Sequence, residues 1–208
     1  MHRFHQLHNS SSERKIIVLA EWNWHGHHPT YFRHYLQSLL RSGSHILALC
    51  PAPESLSSEP FFAEALQQGR LKFGVLQARR RKIRPTQLRE TVRTFEVFKS
   101  LKVQISAFEK HMGQKVALIF FACIYESEFE SFPYIGWLLS RPISGLSLYS
   151  SMFRIPSGPN ASRLLKVLRG QAFKSIAVLD EGTSEAFETS IRKRVVVFPE
   201  ITDLTPPT

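Results

Sequence analysis

The sequence predicts an α/β protein of the Rossmann-like, doubly wound class, with a mostly parallel sheet of about seven strands and helices on both faces. Three observations predict it. Seven short apolar runs recur along the 208 residues, and segments with helical spacing separate most of them. Glycine or proline stands at many of the junctions. Strands that alternate with helices pair in parallel through right-handed crossovers.

The seven predicted strands are apolar and rich in β-branched residues. Continuous apolar runs of this length are typical of strands that are buried on both faces of a sheet. The strands are predicted at 15–20 (KIIVLA), 45–50 (HILALC), 71–76 (LKFGVL), 115–122 (KVALIFFA), 142–150 (PISGLSLYS), 175–180 (SIAVLD) and 194–199 (RVVVFP).

Two predicted helices have clear ends. The first begins with Pro29, which suits the first position of a helix, and ends before Gly43. The second, about 25 residues long by its apolar periodicity, follows Pro85 and ends at Gly113. Shorter helical patterns lie at 59–69, 161–170 and 184–189.

The domain organisation predicted from composition is simple. Residues 1–14 form a flexible polar tail, and residues 15–200 form one Rossmann-like domain. Residues 201–208 are rich in proline and threonine, as at the start of an interdomain linker. We therefore expect a chain that stops at a junction between domains.

The positive charge is concentrated in one segment. The net charge is +10, and residues 70–102 hold eleven lysines or arginines but only two glutamates. Such a segment binds anions or an anionic membrane, or is a solvated loop. No motif for reading bases accompanies it, so no nucleic-acid partner is expected. The candidate membrane or anion patch is Arg79, Arg80, Arg81, Lys82 and Arg84.

The remaining composition favours a protein of the cytoplasm. The longest apolar runs are about half of the ~20 residues that a membrane-spanning helix needs. The amino terminus lacks the apolar core of a secretory signal. Cys50 and Cys123 lie far apart without a CxxC pattern, so two buried free thiols are expected.

Functional groups are expected where the strands end. In open parallel sheets, ligands bind at the carboxyl ends of the strands, near the point where the strand order reverses. The segments that follow predicted strands there are 21–28, 123–130, 149–154 and 180–183.

The turn HGHH, between the first strand and the first helix, allows two interpretations. His25 and His27 form an H-x-H pair, as in metal-dependent hydrolases, but the further ligands that such a site needs are missing, and no metal site is expected. Alternatively, Gly26 permits a tight turn before a helix amino terminus, where an anion is favoured. The turn does not follow the G-x-G-x-x-G pattern, so a nicotinamide enzyme is not supported.

The order of elements resembles the amino-terminal half of bacterial glycosyltransferases of the GT-B architecture (families 1 and 4), which has two Rossmann-like domains. The resemblance is carried by GHHPTYFRHYLQSLLRSGSHILALCP at 26–51, IAVLDEGTSEAF at 176–187 and VVVFPEITD at 195–203. It covers about residues 15–203. It implies that the acceptor binds to this domain, that the nucleotide-sugar binds to a second domain, and that the reaction occurs between them.

The resemblance also implies roles for individual residues. His27 and His28 are the candidate catalytic residues, because a histidine side chain can accept a proton or hydrogen-bond the transferred sugar. The candidate acceptor-binding residues are His25, Gly26, Tyr125, Glu126, Asp180 and Glu181. Asp180 and Glu181 serve equally well as caps of the next short helix. At the position of YESE, 125–128, related enzymes often have histidine.

Two functions follow as expectations. The first is the acceptor-binding half of a hexosyltransferase, acting on a saccharide or lipid-linked acceptor and inactive without a separate donor-binding domain or subunit. No cofactor is expected in this chain, since the nucleotide-sugar would bind in the missing domain. The second is a non-catalytic basic module that binds a polyanion or the inner face of a membrane. Metal-dependent hydrolysis through His25 and His27 is a third, weaker alternative.

Overall fold

The computed structural model describes residues 15–78, 86–124, 138–147, 165–179 and 181–197. The strands are β1 (Ile16–Ala20), β2 (His45–Cys50), β3 (Leu71–Val75), β4 (Leu118–Ile124), β5 (Ile143–Ser147), β6 (Ile176–Val178) and β7 (Val195–Val197). The helices are α1 (His28–Arg41), α2 (Glu54–Ser57), α3 (Pro60–Gln67), α4 (Thr86–Met112) and α5 (Glu181–Ile191). Residues 165–169 are also helical.

The strands form one seven-stranded sheet in the order β3-β2-β1-β4-β5-β6-β7. Every pair of neighbouring strands in it is parallel. This confirms the predicted Rossmann-like α/β class. The order reverses between β1 and β4, because the chain builds outward through β2 and β3 and then returns beside β1. The carboxyl ends of β1 and β4 therefore flank the crevice in which such sheets bind ligands.

Two apolar layers cover the faces of the sheet. In β1, Ile16 and Val18 belong to a core shared with α4, the helical residues 165–169 and α5. Ile17 and Leu19 belong to the other core, which includes α1, α2 and α3. All five residues of β1 are buried, which explains why the strand is apolar without alternation.

Strand β4 begins three residues later than predicted and extends to Ile124. The start was wrong because the backbone N–H of Val116 donates to the Glu109 carboxylate at 2.9 Å instead of to a neighbouring strand. The longer end matters for the site, because it places Cys123 inside the sheet.

A β-bulge interrupts β4 next to β5. Phe121 pairs with Gly145 and Ile124 pairs with Ser147, so three steps along β4 match two steps along β5. Strict alternation would direct Cys123 to the same face as Phe121, but Ile124 occupies that face instead. The bulge therefore removes Cys123 from the alternating pattern of the strand.

Glu109 joins α4 to the amino-terminal edge of the sheet. Its carboxylate accepts two hydrogen bonds from Arg141, each at 2.8 Å, and one from Lys115 at 3.2 Å. Hydrogen bonding by Arg141, with help from Val116 and Lys115, lowers the pKa of Glu109 from 4.5 to about 2. These contacts fix α4 relative to the starts of β4 and β5.

Among the described helices, none combines the length and the apolar composition that crossing a bilayer requires.

Candidate functional site

The candidate site lies where β1 and β4 end side by side. Glu21 directly follows β1, His28 is the first residue of α1, and Cys123 is the penultimate residue of β4. All three are buried, with exposed fractions of 2%, 4% and 2%. Three separate parts of the chain thus bring polar or ionisable groups to one buried point at the topological switch.

Glu21 organises the start of the loop after β1. Its backbone N–H continues the sheet pairing by donating to Leu49 O at 2.9 Å. Its Oε1 accepts the backbone N–H groups of Trp22 at 2.9 Å and Asn23 at 2.8 Å. Its Oε2 lies 3.0 Å from Nδ1 of His28. The carboxylate therefore binds both ends of the segment that separates β1 from α1.

The turn at 25–27 projects above this buried pair. Gly26 has φ +60, a left-handed conformation that favours glycine. The His28 N–H donates to His25 O at 3.3 Å, and the Tyr31 N–H donates to His27 O at 3.0 Å. His25, Gly26 and His27 are all exposed. The two exposed imidazoles thus sit on a tight turn that the Glu21–His28 contact holds from below.

The two candidate catalytic histidines, His27 and His28, differ in their exposure to solvent. His27 is exposed, and its ring lies 6.1 Å from the ring of Tyr31. His28 is buried against Glu21, and the exposed ring of His25 lies 5.1 Å from its ring. His27 is therefore accessible from solvent, whereas His28 helps to fix the position of the turn through its contact with Glu21.

Aromatic side chains form the apolar surroundings of the site. Trp22 packs edge-on against Phe121 at 5.5 Å and against Phe98 of α4 at 6.2 Å. Burial raises the pKa of Tyr35, and nearby Cys123 raises it further, so the phenol stays protonated.

A polar contact connects the loop after β1 to α4. Asn23 Oδ1 accepts a hydrogen bond of 3.1 Å from Arg93 of α4.

The structure covers only part of the predicted site. His25, Gly26, His27 and His28 lie together at the carboxyl edge, as the sequence predicts for this loop. Glu181 is an exposed residue at the start of α5, after β6. Outside the described residues are Tyr125, Glu126, Asp180, Arg79, Arg80, Arg81, Lys82 and Arg84.

Sequence reasoning did not assign roles to Glu21 and Cys123. Both belong to segments that follow predicted strands, which is the signal that could have found them. Within the described part of the chain, one group of three side chains could hold a metal ion: the donor atoms of Glu21, His28 and Cys123 lie within 4.8 Å of one another. His25 and His27, the predicted H-x-H pair, do not belong to it.

Comparisons with known proteins identify the fold. No family model matches the sequence, and no curated protein matches it. The fold is similar to a UDP-glucosyltransferase from Polygonum tinctorium that glucosylates indoxyl, with a TM-score of 0.52, 12% identity and coverage of 89% of this chain and 51% of that chain. The fold is also similar to UGT71G1 from Medicago truncatula, solved with UDP-glucose, with a TM-score of 0.52, 12% identity and coverage of 94% of this chain and 53% of that chain. A third similar structure is a UGT transferase from Siraitia grosvenorii, solved with UDP, with a TM-score of 0.51, 13% identity and coverage of 89% of this chain and 50% of that chain.

At these identities the likeness shows the fold alone. The chain spans about half the length of the solved structures it matches. Its fold is therefore similar to that of roughly one half of these UDP-glycosyltransferase structures.

Proposed function

We propose that this chain is the acceptor-binding half of a glycosyltransferase of the GT-B architecture. One observation carries the proposal: the buried Glu21–His28 contact holds two exposed imidazoles over the crevice at the β1–β4 switch point. The structural neighbours support the proposal: one is a UDP-glucosyltransferase that glucosylates indoxyl, and another was solved with UDP-glucose. Transfer itself requires a donor-binding half, so the isolated chain binds an acceptor without turning it over.

The residues have separate roles in this proposal. The exposed imidazole of His27 hydrogen-bonds a hydroxyl of the acceptor or of the transferred sugar, and His25 lies beside it on the same turn. Gly26 allows the ligand to approach the backbone closely. Glu21 and His28 are positioning residues, because they are buried and fix the turn rather than contact the ligand. Tyr125, Glu126, Asp180 and Glu181 remain proposed acceptor contacts, since they belong to the segments that follow the fourth and sixth predicted strands.

Ligand-observed NMR on the isolated chain tests the proposal. The probes are a panel of monosaccharide glycosides and of phenols and aryl amines, with UDP-glucose as the comparison ligand. We expect at least one panel member to bind and UDP-glucose not to compete with it. His27→Ala should weaken that binding by about 3- to 10-fold, which is the net value of one hydrogen bond.

Lys115→Ala is the matched control. Lys115 is 79% exposed and precedes β4, at the opposite edge of the sheet. Its loss should leave acceptor binding unchanged. Equal effects of the two substitutions, or competition by UDP-glucose at the same site, would contradict an acceptor site at the HGHH turn.

A second candidate function is binding to an anionic membrane, favoured by the solvent face of α4. Between residues 91 and 112 the exposed side chains include three lysines and two large apolar residues, and neither glutamate is exposed. The apolar pair is Phe95 and Val103. Lysines near an anionic surface contribute about 1 kcal/mol each.

Vesicle sedimentation tests this second candidate. Binding to anionic vesicles should exceed binding to neutral ones and fall with salt. The double substitution Lys99→Glu and Lys102→Glu should reduce it by at least about tenfold. Equal binding to both vesicle types would contradict a function at an anionic membrane. It would not bear on the proposed acceptor site.

A further inference from the structure

We propose that Glu21, His28 and Cys123 form a binding site for a zinc-class divalent cation beneath the HGHH turn. The sequence predicts no metal site, because the further ligands that His25 and His27 would need are missing. The fold instead assembles a carboxylate, an imidazole and a thiol from three separate segments. This site goes beyond acceptor binding and does not depend on it.

The spacing of the donor atoms suits a small cation. Bonds of about 2.0 to 2.3 Å in a tetrahedral site place neighbouring donors about 3.3 to 3.6 Å apart. Glu21 Oε2 and His28 Nδ1 are 3.0 Å apart, and all three donors lie within 4.8 Å of one another. The donors that lie farthest apart would have to approach by at most about 1.2 Å, and Glu21 Oε2 and His28 Nδ1 would have to separate by about 0.3 Å.

The chemistry of the donors selects the type of metal. A thiolate and an imidazole favour zinc over magnesium or calcium, which prefer oxygen ligands alone. One thiolate and one carboxylate also neutralise a doubly charged ion, so the buried site carries no net charge. On binding, the Cys123 thiol releases one proton, and the imidazole binds through Nδ1 with its proton on Nε2.

Two features of the surroundings position the proposed ligands for a metal ion. The Trp22 and Asn23 amides fix Glu21 through Oε1, while Oε2 faces His28 Nδ1, and the ion would bind between these two atoms in place of their direct contact. Such supporting contacts orient metal ligands. The bulge in β4 takes Cys123 out of the apolar alternation, and bulges recur where a strand must re-aim a side chain. Gly145 permits the bulge, since a Cβ there would lie 2.7 Å from Phe121 O.

The fourth ligand of the ion would be a water molecule or the His25 side chain. The His25 ring is exposed and lies 5.1 Å from that of His28. The ion would therefore tie the turn to β1 and β4 and leave its exposed edge accessible.

Cobalt titration of the full chain, stripped of metal with a chelator, tests the site. Co²⁺ bound by a thiolate gives a charge-transfer absorption band that histidine ligands alone do not give. We expect one Co²⁺ per chain with this band, and its loss when Zn²⁺ is added. The Cys50→Ser chain decides the assignment, because the sequence holds two cysteines and this chain keeps Cys123 alone.

The band should persist in Cys50→Ser and disappear in Cys123→Ser. Glu21→Gln should weaken cobalt binding by at least about tenfold. Absence of the band in Cys50→Ser would overturn the proposal, whether or not Cys123→Ser folds. A chain with alanine at His2, His5 and His8 controls for the histidine-rich amino terminus: cobalt binding that vanishes in it would also overturn the proposal. None of these readouts requires an acceptor or a donor half.

Discussion

Replacing Glu109 by glutamine should remove much of the acid sensitivity of folding. In the folded chain, hydrogen bonds from Arg141, Val116 and Lys115 hold the Glu109 pKa at about 2, against 4.5 for an ordinary glutamate. A carboxylate with a lowered folded pKa contributes stability that is fully present above its unfolded pKa and is lost as the pH falls toward its folded pKa. The relevant window is therefore from about pH 4.5 down to about pH 2.

The size of the effect follows from the two pKa values. Each pKa unit corresponds to about 1.4 kcal/mol, so the change from 4.5 to about 2 corresponds to about 3 to 4 kcal/mol of unfolding free energy. Wild type should lose that amount across the window through this group. Glu109→Gln should already lack it at neutral pH and should show a correspondingly flatter stability curve below pH 4.5.

Urea unfolding followed by tryptophan fluorescence, repeated from neutral pH to about pH 2.5, measures both curves. The matched control is Glu54→Gln, since Glu54 is an exposed residue of the short helix α2. Its curve should follow that of wild type. Parallel curves for wild type and Glu109→Gln would refute the proposed contribution of the Arg141 contacts.

Three further substitutions test the surroundings of the site. Gly145→Ala should destabilise the chain by about 1 to 3 kcal/mol in urea unfolding, because its Cβ would meet Phe121 O and Ile124 Cδ1, each at 2.7 Å; an unchanged midpoint would contradict the close packing at the bulge. Phe121→Ala should cost about 3 to 5 kcal/mol, since the fully buried ring packs on both Trp22 and Phe98; a loss below 1 kcal/mol would contradict that packing. Arg93→Ala should cost only about 0.5 to 1.5 kcal/mol through its hydrogen bond to Asn23, as thermal unfolding can check.

Apolar runs and turn residues were enough to predict the fold class. The β1 run and the helix between Pro29 and Gly43 appear within one residue of their predicted bounds, because burial and end signals agree there. The start of β4 was wrong because a side chain from a distant helix, Glu109, takes the Val116 N–H. A contact of this kind has no local signature in the sequence.

The centre of the site was beyond sequence reasoning for a similar reason. HGHH attracts attention because its histidines are adjacent, yet the structure separates them: His27 is exposed, while His28 turns inward to Glu21. The proximity of Cys123 to that pair depends on the β4–β1 pairing and on a one-residue bulge. Neither is encoded in local spacing.

Amide chemical-shift mapping of the isolated chain with the tightest acceptor from the panel is the most direct test of the central claim. The account predicts that the largest shifts fall at the carboxyl edge, in residues 21–28 and at the end of β4, with no comparable shift at Gly113 or Lys115. Shifts confined to the amino edge, or the same carboxyl-edge shifts produced by UDP-glucose, would contradict an acceptor site at the β1–β4 switch point.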